Sequence, residues 1–152
     1  AIVRGYTDDH LTIDYPLPLM DDFKGRRVKV GTQDAITQVE TLCRSELPIA
    51  CGRYPSSRYS LVHLRPQSGR KHQLRRHMKH IFHPIVGDTT HGDGKHNQLF
   101  RDYFDSHRLL LAATGLLLKH PVSGEPLTLH CDTGDDFERV SKALWPARRD
   151  ST

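Results

Sequence analysis

Leu74, Met78, Ile81 and Phe82 stand at i, i+4, i+7 and i+8, the spacing of one apolar stripe on an α-helix. The pattern predicts a helix over 69–82, stopped by His83-Pro84. A helix with a single apolar face must lie against another element. The sequence upstream offers strands: 1–5, 11–15 and 58–65 read as strands, and Ala35, Thr37, Val39 and Thr41 alternate along one face of 35–44. Downstream, 109–118 and 127–131 read as strands joined by a turn at 120–126. Gly115 is expected to mark a bulge or a close backbone approach. Residues 135–144 read as a helix with acids in its first turn. The stretch 14–27, with Pro16 and Pro18, reads as a loop, and so does 82–97, with Gly87, Gly92 and Gly94 as turn glycines. The expected fold is α+β, one domain over residues 1–152, with a mixed, mainly antiparallel sheet and flanking helices.

The predicted helix opens on cations. With Ser68 as its N-cap, Arg70 and Lys71 fall in the first turn, where the backbone dipole disfavours positive charge. A phosphate bound at the helix start removes the conflict, because free N–H groups and cations then share one anion. Charge along the chain points the same way. Residues 47–87 contain 8 Lys or Arg and no acid, with 5 of the 11 histidines, although the whole chain carries only +4. The flanking stretches, 1–46 and 88–152, are each net −2. A solvated face normally mixes signs, so 41 residues without a carboxylate favour a polyanion, first of all nucleic acid. Arg76 and Lys79 project away from the stripe, toward solvent or a ligand, while Arg70 and His77 flank it.

Other chemistries find less support. His72, His77, His80 and His83 cluster, followed by His91 and His96, yet no HExxH occurs and the first nearby carboxylate is Asp88. A histidine-based, metal-dependent nuclease therefore stays an open alternative, and no metal or other cofactor is expected. Ser68 lacks a G-x-S-x-G context, and "GDTTHGDG" lacks the spacing of an EF-hand loop. Cys43, Cys51 and Cys131 are odd in number and form no CxxC, so they read as packed or free thiols in a reducing cytoplasm. No apolar run approaches the ~20 residues of a membrane span. The opening "AIVRG" has no Met and reads as a strand entered midway, as expected of a fragment.

Three segments, "RPQSGRKHQLRRHM", "HPIVGDTTHG" and "RLLLAATGLLLKHPVSGEPLTLH", resemble in this order the distal part of RluA-type RNA pseudouridine synthases. The likeness runs over residues 1–131. It implies a cofactor-independent isomerase that flips a uridine out of its RNA, detaches the uracil, rotates it and rejoins it through carbon. The resemblance places the family catalyst, an Asp, in a His-Arg-Leu-Asp motif, and that motif is absent here. The one His-Arg, at His107-Arg108, continues Leu-Leu-Leu. The family's active-site Tyr would precede Ala1. The chain is thus expected to be the C-terminal part of a catalytic domain, without the segment that bears the catalytic Asp.

By the same resemblance Arg75 would pair with that Asp, keeping it ionised and oriented. Arg70, Lys71, His72, Gln73, Arg76, Lys79, Arg53 and Arg58 are the candidate RNA-binding residues. Ala112 stands where the family often has a His. The expected partners are tRNA or another structured RNA, and the missing N-terminal part of the enzyme, with no membrane. A non-catalytic RNA-binding module is the competing reading.

Overall fold

The protein is described by a computed structural model over residues 1–23 and 26–147, with the backbone alone at 20–23, 27 and 28. Among the described residues eleven elements follow in order: β1 (Ile2–Arg4), β2 (His10–Asp14), β3 (Leu17–Phe23), β4 (Arg26–Gln33), β5 (Ile36–Leu47), β6 (Ser57–Pro66), α1 (Gln73–His80), α2 (Gly94–Phe104), β7 (Gly115–Lys119), β8 (Pro126–His130) and α3 (Asp135–Leu144). The central sheet has the order β1-β6-β5-β2. Its pairings, and those of the β3–β4 and β7–β8 ribbons, are antiparallel. The α+β architecture expected from the sequence is the one observed.

Alternation along the strands gives the sheet two apolar faces. Val3, Ile13, Val39 and Val62 pack with Met78 of α1 and with Ile85. Their neighbours Ile2 and Leu61, with Tyr59, turn to the other face and meet Leu99 and Phe100 of α2 and Phe137, Val140 and Leu144 of α3. Helices thus cover both sides, and each fully buried side chain of this size contributes about 1.5–3 kcal/mol. Strand β5 serves both faces because its register shifts between Thr41 and Cys43. The bulge at Leu42 breaks the two-residue period, so Val39 lies in one core while Cys43 and Leu47 pack against the other. The outer edge of β1 is closed by irregular chain: Arg4 N–H donates to the Pro84 carbonyl and Ile2 N–H to that of Leu110.

Several expectations fail locally. The stretch 14–27 is not a loop throughout, because β3 and β4 form a hairpin there; Lys24 and Gly25 lie outside the described residues. Pro18 is tolerated because this ribbon has only two strands, so the imide nitrogen can face away from the partner. The region 82–97 does not stay irregular either: α2 begins at Gly94, with the Asp93 carboxylate accepting from Lys95 N–H. Of 109–118 only β7 is a strand, and Gly115 has neither a positive φ nor a close neighbour.

The basic helix is shorter than the stripe implied. It starts at Gln73, not Gly69, and Ser68 is not its N-cap; His72 holds that position with φ 53°. Arg70 and Lys71 therefore precede the helix and do not oppose its dipole. Phe82 also leaves the predicted stripe: it is 79% exposed with φ 64°. Its place on the buried face is taken by Gln73 and His77.

Candidate functional site

A polar knot ties α1 to β5. Gln73 Oε1 accepts from Ser68 Oγ and from Arg70 N–H, while Nε2 donates to the Ile36 carbonyl and to Thr37 Oγ1. Thr37 Oγ1 lies 2.8 Å from His77 Nδ1, and His77 Nε2 lies 2.8 Å from the Tyr15 carbonyl. A carbonyl only accepts, so Nε2 carries the proton and Nδ1 accepts from Thr37. Burial holds the His77 pKa below its ordinary value against the raising effect of the Tyr15 carbonyl. Gln73 is 4% exposed and bonded at both amide atoms. Its hydrogen bonds to Ser68, Arg70, Ile36 and Thr37 fix the turn that carries Arg70 and Lys71.

On the next turn Arg75 forms a bidentate pair with Asp88: Nε to Oδ2 at 2.7 Å and Nη2 to Oδ1 at 2.8 Å. The Asp88 side chain is fully buried and that of Arg75 is 19% exposed. Asp88 Oδ1 also accepts from the N–H groups of Thr90 and His91. Burial alone raises the Asp88 pKa, but these donors overcome it and hold the carboxyl at about 2. Two glycines make the loop possible. A Cβ on Gly87, whose φ is 85°, would come within 2.0 Å of the Arg108 carbonyl oxygen, and one on Gly92 within 2.1 Å of that of Asp88. The spacing of Asp88 beyond Arg75 gave no hint of the pair, which becomes visible only when the chain doubles back after α1.

The other cations divide into two groups. Arg70 Nε donates to the Asp34 carbonyl, and Arg76 Nη2 to that of Pro18, so both lean on the β3–β5 side of the helix. Lys71, His72 and Lys79 are exposed, with His72 Nδ1 3.2 Å from His91 Nε2. Arg53 and Arg58 lie elsewhere, in a cleft of about 800 Å³ bordered by Arg4, Phe82 and Lys95. Arg53 stands over the Tyr54 ring, and Arg58 over that of Tyr6 while 3.5 Å from Glu46. The histidines are dispersed: His80 stacks on Tyr15, His83 Nδ1 donates to the Arg4 carbonyl, and His96 meets the Tyr59 hydroxyl. Among the described residues no three His, Cys, Asp or Glu side chains are grouped to hold a metal. None of the described helices is long and apolar enough to cross a membrane. The three cysteines are free thiols.

The profile of the family described as RNA pseudouridylate synthase matches residues 5–80, half of the chain. The chain belongs to the RNA pseudouridylate synthase family. A tRNA pseudouridine synthase C of Vibrio parahaemolyticus is 45% identical over 145 residues, which cover 92% of this chain and 58% of that relative. One of Pectobacterium carotovorum is 52% identical over 134 residues, covering 85% of this chain and 35% of the relative. The solved structure of human RNA pseudouridylate synthase domain containing 1 shares the fold, with a TM-score of 0.61 at 23% identity over 87% of this chain and 52% of that one. This family member therefore spans between about a third and two thirds of the curated relatives it matches.

Proposed function

We propose that this chain is the RNA-facing part of a tRNA uridine-to-pseudouridine isomerase, in which Arg75 pairs with a catalytic Asp carried outside these 152 residues. The observation that supports this is the geometry of the Arg75 guanidinium. Asp88 engages Nε and Nη2 along one edge, and among the described residues Nη1 has no partner. A guanidinium clamped on one edge and 19% exposed is preorganised to take a second carboxylate on the other. Such a pair would keep that carboxylate ionised beside the uridine while Asp88 keeps the cation from swinging away. The exposed Lys71, His72 and Lys79, with Arg70 and Arg76, would meet the RNA backbone, where cations contribute most of the affinity. The reaction is an isomerisation: the bond from C1′ to the uracil nitrogen breaks, one from C1′ to carbon forms, and a proton moves from that carbon to the nitrogen. No external reactant enters.

The test uses the complete gene product. Arg75→Lys keeps the charge but loses the two-edged geometry, and should abolish pseudouridine in tRNA, read by mass spectrometry of nucleosides, while tRNA affinity is retained. Full activity in this variant would overturn the assignment. The same cations would also suit an RNA-binding module that does no chemistry, and absence of pseudouridine from tRNA treated with the unaltered complete protein would select that reading.

A further inference from the structure

The cleft at the C-terminal end of α1 contains an exposed aromatic ring that neither core uses. Phe82 is 79% exposed and its backbone is left-handed, an uncommon and costly conformation for a bulky residue. Several contacts fix it there. Its N–H donates to the Lys79 carbonyl, its carbonyl accepts from Arg4 Nη2, and the following His83 N–H donates to Met78. Arg4 is in turn fixed by Asp93 at 2.5 Å, the residue that also caps α2. The fold thus constrains a backbone to hold a phenyl ring in solvent, where burial contributes nothing to stability.

The charge around the ring has one sign to spare. Arg4 and Arg58 have carboxylate partners, Asp93 and Glu46, whereas among the described residues Arg53 and Lys95 have none. Tyr54, 58% exposed, adds a second aromatic face under the Arg53 guanidinium. Aromatic faces beside unpaired cations, in a cleft of about 800 Å³, fit an unpaired nucleotide: the base stacks and the phosphates meet the cations.

We propose that this cleft binds a single-stranded stretch of RNA, with one base stacked on Phe82 and its phosphates on Arg53 and Lys95. It would act as a second contact beyond the uridine that meets Arg75, at the opposite end of α1. The proposal rests on the RNA reading above, and the experiment separates the two. Binding of a short fluorescent oligouridylate to the complete gene product is followed by anisotropy across a salt series. Phe82→Ala, at an exposed position, should weaken binding about tenfold, and Phe82→Trp should retain it. Replacing Arg53 and Lys95 together by Gln should lower the salt slope by about 1.4. A 2-aminopurine base within the oligonucleotide should be quenched by the native protein and less so by Phe82→Ala. If the native chain binds RNA and Lys71→Gln and Lys79→Gln weaken it while Phe82→Ala does not, the cleft is overturned and the RNA reading stands. If the complete unaltered protein binds no RNA, both fall.

Discussion

At the Arg75–Asp88 corner, positive charge is enclosed. A buried carboxylate with four donors holds the guanidinium, two glycines let the loop close on it, and Thr37, Gln73 and His77 anchor the helix beneath. At the Phe82 cleft, charge is left in the open beside rings that no core absorbs. Both regions lie within or beside the same acid-free stretch, but the first depends on acids brought by later chain, while the second leaves two of its cations without them. Geometry tolerates little error where an ion pair is desolvated, and much more where ligand and solvent share the surface. The corner should therefore register substitutions as lost stability, and the cleft as lost affinity.

The most severe way to break that contrast is Asp88→Ala. It leaves the Arg75 charge with no partner on its inner edge and strands two loop N–H groups, and should cost about 3–5 kcal/mol in urea unfolding. Phe82→Ala in the same assay should stay within about 0.5 kcal/mol. Equal losses would erase the distinction. Acid titration examines the corner without mutation. The Asp88 pKa is lowered in the fold, to about 2, so its contribution is complete above the ordinary carboxylate value near 3.8 and is lost as pH falls toward 2. About 2 kcal/mol should disappear over that window, and Asp88→Asn should remove this component.

A gentler decline should begin higher. His77 is held neutral by burial, so its contribution is complete above about pH 6.5 and falls as the solution becomes more acidic. His77→Gln should flatten the pH 7 to 5 part of the stability profile, and an unchanged slope would assign it to another group. The smallest effect belongs to the exposed cations. Lys71→Gln should leave stability unchanged and lower the salt slope of RNA binding by about 0.7–0.9.

The elements legible in the sequence were those whose period survived folding. Residues 58–65, 127–131 and 135–144 became the expected elements, and 35–44 did so with its alternation kept up to Thr41, ahead of the Leu42 bulge. The β3–β4 hairpin was hidden because Pro18 argues against a strand unless one edge is unpaired, which only the tertiary arrangement shows. Ser68-Gly69 imitates a helix start, but the Ser68 hydroxyl serves Ile36 N–H and the Gln73 amide. Phe82 fits the apolar stripe by spacing and leaves it by backbone conformation, which spacing does not encode. Arg75 could be singled out by resemblance, yet its observed partner could not, because Asp88 approaches through a loop whose path depends on close backbone contacts at Gly87 and Gly92.

The extra residue at Leu42 has a mechanical consequence. Because β5 crosses from one core to the other at that bulge, the two cores share this strand, and α1 cannot loosen without disturbing the wall that α2 and α3 lean on. The two layers should open together, so amide protons at Val39 and at Cys43 should exchange with similar protection. Deleting Leu42 would re-phase the strand beyond it, turning Cys43 and Leu47 toward the wrong side and removing the seam through which load passes between the layers.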